Sequence, residues 1–284
     1  RTSYVRYGTV LLALIQASGL ALGLQNQGLA LDPGLMFQKE MINNQFRILY
    51  HHKNISESAL SIVLMITNSS HETLNISVVK GLGGSCEDVV FAGHKAMAEF
   101  FCNLRDRGEK IVLPPQSTTP LLVHKIKSEQ TSSGIIKINK DLNIPVTVKM
   151  MMLDMDYPSI SGFLDVPNLV TQFRVAEFDQ SFFEYEYDYE SVDDIKSIKI
   201  GGAPFIKDTQ YNYELKGNYG VLYGISLTVK NSFRQPKYVS FFLSPSKLNG
   251  VDRGVILVDG DIKEIGMVNY KDNLLVMEQF YEVQ

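Results

Sequence analysis

Gly217-Asn218-Tyr219-Gly220-Val221-Leu222-Tyr223 runs directly into Gly224-Ile225-Ser226-Leu227-Thr228-Val229-Lys230-Asn231. The stretch opens on turn residues and continues as apolar/polar alternation, Ile225, Leu227 and Val229 against Ser226, Thr228 and Lys230. That period of two predicts a half-buried strand. Asn231-Ser232 stops it, and the apolar residues return at Tyr238-Val239-Ser240-Phe241-Phe242-Leu243, so the unit reads strand, turn, strand.

The same unit stands earlier in the chain. Ile62, Leu64, Ile66, Asn68 and Ser69 repeat the order and spacing of Ile225, Leu227, Val229, Asn231 and Ser232, and Leu74-Asn75-Ile76-Ser77-Val78 supplies the returning strand. The lead-ins agree as well, Ile48-Leu49-Tyr50 against Val221-Leu222-Tyr223, with a longer insert after the first Tyr. Two copies of a strand-rich unit predict tandem domains, since a solenoid requires at least three short repeats.

The Gly-Asn-Tyr-Gly-Val-Leu-Tyr motif followed by an alternating strand ending in Asn resembles the hallmark of a β-sandwich domain of exported proteins from cyanobacteria and Gram-positive bacteria. The first half resembles the partner domain that accompanies it, through Arg47-Ile48-Leu49-Tyr50-His51-His52-Lys53-Asn54, Gly83-Gly84 and Gly93-His94-Lys95-Ala96. The resemblance covers roughly residues 35–284. It implies export and a non-catalytic β-rich fold, and it carries over no catalytic residue.

A chain of 284 residues divides into about two domains, each with its own core. Hydrophobic residues at 45% and charged residues at 20% mark an ordinary folded protein. A net charge of -4 leaves no basic footprint, which excludes nucleic acid as the expected partner. Trp is absent, which disfavours a sugar-stacking lectin site. Cys86 and Cys102 could pair in an oxidising compartment. They read instead as two thiols at the start and near the end of one helix, about 24 Å apart at 1.5 Å per residue and beyond disulfide reach.

At the N-terminus, Arg1 and Arg6 precede Val10-Leu11-Leu12-Ala13-Leu14-Ile15, and apolar character continues through Gly19-Leu20-Ala21-Leu22-Gly23-Leu24. A basic start and an apolar run are the marks of a signal peptide. Gln16 and Ser18 interrupt the run, which is short of the roughly 20 residues of a spanning helix. Val10, Leu12, Leu14, Leu20, Leu22 and Leu24 are large residues at alternate positions, with Ala13, Ala17, Gly19, Ala21 and Gly23 between them and Leu11 and Ile15 as exceptions. Such a strand suits a groove in a β-sandwich, entering as its missing strand. Three readings stand: donation to a neighbouring copy, which ranks first; a strand of the chain's own domain; and a leader-like segment.

Asp32-Pro33-Gly34 reads as a hinge. Strands are predicted at 46–51, 60–67, 73–80, 109–113, 120–126, 134–139 and 145–153. A helix over 86–107 is predicted to start at an N-cap Ser85, with Val90, Met97, Phe100, Phe101 and Leu104 marking its apolar face. Pro158-Ser159-Ile160-Ser161-Gly162 is the expected linker; a strand near 169–175 follows, then the acidic aromatic stretch, then strands near 195–200, 221–230, 238–243, 254–258, 262–268 and 274–282. The fold class is all-β: two tandem β-sandwich, Ig-like domains over 35–157 and 163–284, the first with one inserted helix, preceded by an apolar segment over 1–34.

Few residues offer chemistry. His51-His52, with His71, His94 and His124, have no metal-ligand spacing, and neighbours on a strand point to opposite faces. Phe183-Glu184-Tyr185-Glu186-Tyr187-Asp188-Tyr189-Glu190 alternates aromatic and acidic residues. The simpler reading is a packed aromatic face and a solvated carboxylate face; the sharper one is a calcium site of Glu184, Glu186 and Asp188 with Asp193 and Asp194. Asp259-Gly260-Asp261 is a hairpin turn before it is a ligand loop. Gly81-Leu82-Gly83-Gly84 lacks the Lys of a phosphate-binding loop, and no nucleophile elbow or catalytic set occurs. Asn54, Asn68 and Asn75 each open an N-glycosylation sequon.

The expectation is therefore a non-enzymatic, exported cell-surface protein without cofactor, whose partner is another copy of itself. It would polymerise as a filament or pilus-like subunit by giving residues 8–24 to a neighbour, and cell-envelope attachment fits the same reading. The alternative is an envelope module binding glycan or calcium through residues 184–190.

Overall fold

In a computed structural model, residues 5–17, 28–30, 34–154, 178, 182–190, 195–201, 203–209, 214–215, 220–233, 235–245, 251–258, 260–270 and 272–281 are described. They form sixteen strands and one helix. The first strands are β1 (Val5–Ala17), β2 (Gly28–Ala30), β3 (Gly34–Met41), β4 (Gln45–Asn54), β5 (Leu60–Asn68) and β6 (Leu74–Cys86). Helix α1 (Val89–Arg105) precedes β7 (Glu109–Leu113), β8 (Ser117–Ile126), β9 (Thr131–Lys140) and β10 (Val146–Asp154). The remainder are β11 (Phe182–Glu190), β12 (Leu222–Lys230), β13 (Lys237–Leu243), β14 (Val251–Val258), β15 (Asp261–Asn269) and β16 (Leu274–Tyr281). The fold is all-β. Two compact units divide the chain: Gly23–Val175, and Arg1–Leu22 together with Ala176–Gln284.

In the unit Gly23–Val175 a five-stranded sheet, β2-β4-β9-β6-β7, accompanies a four-stranded one, β3-β10-β5-β8. Their apolar faces share one core: Phe46, Ile76, Val78 and Ile138 from the first, Ile62, Leu64, Leu122 and Val148 from the second. This is the sandwich arrangement, in which each sheet buries the alternate residues of its strands. β5 is buried at almost every position, because Val63 and Met65 belong to a second cluster with Met151 and Leu153 on the opposite face of its sheet.

Helix α1 lies on the outer face of β6, and the glycines of the Gly81-Leu82-Gly83 run explain how. A Cβ on Gly81 would stand 2.0 Å from the Ala96 carbonyl oxygen, and one on Gly83 would stand 1.8 Å from that of Ala92. The strand offers no side chain at these alternate positions and the helix offers alanines four apart, so the two backbones meet closely. Phe100 and Phe101, both fully buried, pack at 6.3 Å between ring centroids.

The structure corrects the expected helix start. β6 continues to Cys86, and Asp88 is the N-cap, its carboxylate accepting from the Phe91 amide at 2.9 Å. Ser85 is engaged elsewhere, its hydroxyl donating to Gln130 Oε1 at 2.7 Å and accepting from the Lys127 amide at 2.8 Å. Cys86 is accordingly a strand residue, and only Cys102 is helical; both are free thiols. Burial and the neighbouring Asp88 push the Cys86 thiol upward. Residues 34–41, expected only to follow a hinge, are strand β3, paired antiparallel with β10 from Met41↔Val146 to Gly34↔Met152. Residues 195–200, expected as a strand, carry no regular structure. The expected linker at 158–162 and the strand at 169–175 lie outside the described residues.

In the other unit the five-stranded sheet runs β11-β12-β1-β14-β15, and β13 pairs with β16. Val221, Tyr223, Leu243, Ile256, Val258, Ile265 and Val268 form its core. Gly260, at φ 91°, lies in the turn that pairs Val258 with Asp261, so the Asp-Gly-Asp run is a hairpin connection.

Candidate assembly site

The central strand of that sheet is the N-terminal one. β1 pairs antiparallel with β12 through Val10↔Ile225, Leu11↔Gly224, Leu12↔Tyr223 and Ala13↔Leu222. On its other side it pairs antiparallel with β14 through Leu11↔Leu257, Leu12↔Ile256, Ala13↔Val255 and Leu14↔Gly254. A register shift between Arg6 and Thr9 separates this run from the Val5↔Val229 and Arg6↔Thr228 pairs.

Register decides which predicted residues share a face, because directly opposed residues lie on the same side of a sheet. Leu12 stands in the row of Tyr223 and Ile256, both core residues, and Val10 and Leu14 occupy the alternate positions on either side of it. Leu20, Leu22 and Leu24 lie outside the described residues.

The slot that β1 fills is apolar and rich in backbone hydrogen-bonding groups. Val221, Tyr223, Val255 and Ile256 are all at most 3% exposed. Without β1 the sheet separates into β11-β12 and β14-β15, with the facing edges of β12 and β14 open. Buried backbone N–H and C=O groups require partners, so a strand of some origin must lie there.

The acidic aromatic stretch forms the outer neighbour of the slot. β11 runs parallel to β12 from Phe182↔Leu222 to Glu190↔Lys230. Phe183, Tyr185 and Tyr187 are half-buried, with Phe183 and Tyr185 stacked on Tyr223 at 5.7 Å and 6.4 Å, while Glu184, Glu186 and Asp188 are exposed. The carboxylates therefore alternate along one strand, successive ones about 6.6 Å apart by strand rise. That spacing does not converge on one cation, and among the described residues no group of three or more His, Cys, Asp or Glu is placed to hold a metal. Asp193 and Asp194 lie outside them. Glu190 accepts from Lys230 Nζ at 3.0 Å and from the Ser232 hydroxyl, and these two bonds hold its carboxyl below the usual range.

The histidines are dispersed. His52 stacks on Tyr50 at 6.4 Å, and the Tyr50 hydroxyl meets His124 Nδ1 at 2.6 Å, tying β4 to β8. Burial lowers His124, against an opposing pull from the Gly84 carbonyl and Glu99. His51 is half-buried and its imidazole is lowered to about 4 by burial; His94 is buried in α1, and His71 is exposed. The Tyr50-His124 bond escapes a sequence reading, because nothing in either residue's neighbourhood names the other across the sandwich.

The sequons resolve into two kinds. Asn54 and Asn68 are wholly buried. Asn54 Nδ2 donates to the carbonyls of Ser58 at 2.7 Å and Ile126 at 3.2 Å; Asn68 Nδ2 donates to those of Glu72 at 2.8 Å and Leu113 at 3.2 Å. In each, Oδ1 accepts both the amide and the hydroxyl of the sequon Ser. These are Asx turns that end a strand, and a glycan on Nδ2 would replace one of its two N–H donors and force a sugar into a buried site. Asn75 is exposed, bonded through Nδ2 to Asp141 at 2.7 Å. Asn231 closes the second repeat in the same way, Oδ1 accepting from the Phe233 amide at 3.0 Å and Nδ2 donating to the Gln235 carbonyl at 3.1 Å.

Compared with known proteins, the chain matches no family model, no curated protein and no solved structure.

Proposed function

We propose that this chain is a non-enzymatic structural subunit that assembles with itself at the cell surface by exchanging strand β1 between copies. One observation carries the reading: the central strand of the sheet in the C-terminal unit comes from the opposite end of the chain. A segment that enters a sheet by backbone pairing can be supplied by a second copy with the same pairing, which is the basis of strand exchange. Residues 18–27 join β1 to β2, and a stretch of that length reaches about 35 Å when extended. Exchange that does not close on itself propagates as a filament. Two sandwich-like units per subunit and export follow from the internal repeat and the sequence resemblance.

Cysteine pairs across the register distinguish own-chain from exchanged strands. Leu12→Cys with Ile256→Cys, in a Cys86→Ser and Cys102→Ser background, is oxidised and run without reductant. Exchange gives a covalent ladder; a single internally bridged monomer overturns it. Deleting residues 1–22 abolishes large species in size-exclusion chromatography and negative-stain microscopy, and their persistence sinks the proposal.

A further inference from the structure

The two-stranded sheet of β13 and β16 turns one face to the core and the other to solvent. Leu243 of β13 is buried in the core, and Val276 and Met277 of β16 pack against it. Along β13 the alternate residues Tyr238, Ser240 and Phe242 share the opposite face. Pairing adds two residues of β16 to that face, Glu278 opposite Ser240 and Leu275 opposite Phe242. Tyr238 is 66% exposed, Phe242 58% and Leu275 50%. Scattered exposed apolar side chains are ordinary, whereas these share one face of a short ribbon and are interleaved with a polar pair.

That pair stands between the two aromatic side chains. The Ser240 hydroxyl donates to Glu278 Oε1 at 2.8 Å. With its one proton so used, Ser240 offers lone pairs, and the carboxylate offers more. The face thus presents aromatic rings at both ends and acceptors in the middle, which calls for a ligand with apolar ring faces, hydroxyl donors and no negative charge. Sugar rings have this chemistry: their C–H faces stack on aromatic rings while the hydroxyls at their edges donate to acceptors. Tyr238 and Phe242 stand about 13 Å apart by strand rise, so the ligand is a chain of several rings.

Other occupants fit less well. Nucleic acid and anionic membrane meet Glu278 and a net charge of -4, and Lys237 of β13 is held over the Phe233 ring at 4.6 Å. A ribbon of seven residues and two strands covers on the order of 230 Å², against about 800 Å² from each partner in a stable protein interface.

We propose that the solvent face of β13 and β16 binds a neutral, extended β-1,4-linked polysaccharide, which stacks on Tyr238 and Phe242 and donates hydroxyls to Ser240 and Glu278. A β-1,4 linkage keeps successive rings in an extended line that can follow a strand, whereas an α-1,4 chain coils away from it. Tyr and Phe take the stacking role for which the chain has no Trp. The site is distinct from the stretch 184–190, where Phe183 and Tyr185 are stacked on Tyr223 of the core. It also lies outside the sheet that takes β1, so it stands whether or not strands are exchanged.

The test is calorimetric titration of the full chain with cellohexaose and chitohexaose, with co-sedimentation on cellulose and chitin beside protein spun alone, which shows what self-assembly sediments. Binding of at least one hexasaccharide is expected. Tyr238→Ala and Phe242→Ala each weaken it about tenfold, and Tyr238→Phe retains it. All three leave the melting temperature unchanged, because the side chains are exposed. Absence of binding to both hexasaccharides and both polymers overturns the proposal. Undiminished binding by the double alanine variant overturns it as well, by moving the glycan elsewhere. Vesicles of phosphatidylcholine and phosphatidylglycerol form the third arm: vesicle binding that requires Tyr238 and Phe242, without sugar binding, makes the face a membrane contact and also overturns it.

Discussion

The two copies of the repeat strand, β5 and β12, share a sequence pattern and differ in where their neighbours come from. β5 lies between β8 and β10, both from the same continuous unit, and its two faces feed two buried clusters. β12 lies between β11 and β1, the second supplied from residues before the first unit begins, and its later half is only half-buried. One copy closes its sheet with strands from its own unit, whereas the other includes a strand that a different chain could supply. The strand and its terminal Asn recur in both copies while the provision of neighbours differs, and the strand-exchange proposal turns on the unit whose sheet takes its central strand from the N-terminus.

If the contrast is sound, damage to the unit Gly23–Val175 stays within it. Gly83→Val is the severest such change, because its Cβ would enter the Ala92 carbonyl at 1.8 Å and neither backbone can yield cheaply. A loss of about 3 kcal/mol or more is expected, confined to that unit. Hydrogen exchange followed by peptide checks it: protection falls over 74–113 and holds over 222–268. Equal loss in both regions would break the comparison.

The terminal asparagines sharpen it further. Asn68 is buried; its Oδ1 accepts twice from Ser70, and the two N–H groups of its Nδ2 are shared among the carbonyls of Glu72, Leu113 and Pro114. Asn231 has exposed partners. Asn68→Ala leaves several buried groups unsatisfied and is expected to cost about 3 kcal/mol, against about 1 kcal/mol for Asn231→Ala. Chemical denaturation of the two variants side by side reads the difference; equal costs would mean that the repeats are held alike.

What the sequence made legible follows the range of the interactions. Period-two alternation located β5 and β12, and the strand over 109–113 was read to the residue, because strand patterning is local. The large residues Val10, Leu12 and Leu14 could be read as one row for the same reason. Which sheet they enter is a long-range pairing, and it left three readings open. The Gly81-Gly83 cradle read only as an incomplete phosphate-binding loop, because its meaning lies in the helix that follows it. Asn54 and Asn68 read as sequons because the Ser at the third position serves an Asx turn and a sequon alike. Ser85 satisfied the local capping rule, yet Gln130 and Lys127, distant in sequence, engaged its hydroxyl.

The mildest way to separate the units is acid. Burial holds His51 neutral down to about pH 4, whereas in the unfolded chain it titrates near 6.5. Between those values the unfolded state binds more protons, so the His51 contribution is complete above pH 6.5 and is lost as pH falls toward 4. The undiscounted effect on passing from pH 6.5 to 5.5 is about 1 kcal/mol, and half-exposure reduces it to about 0.5 kcal/mol. Among the described residues of the C-terminal unit a depressed group is Glu190, whose ordinary value is 4.5, so its contribution persists above that pH and is lost only below it. From pH 6.5 to 4.5 protonation of His51 acts on the first unit while Glu190 stays ionised in both states and contributes no change. Hydrogen exchange at pH 6.5 and 5.5, corrected for intrinsic rates, is expected to show weakened protection over 45–68 with 222–230 unchanged, and His51→Gln is expected to flatten the response. Persistence of the slope in His51→Gln would place the titrating group elsewhere in the sandwich, with His124, bonded to Tyr50 across the sheets, as the next residue to replace.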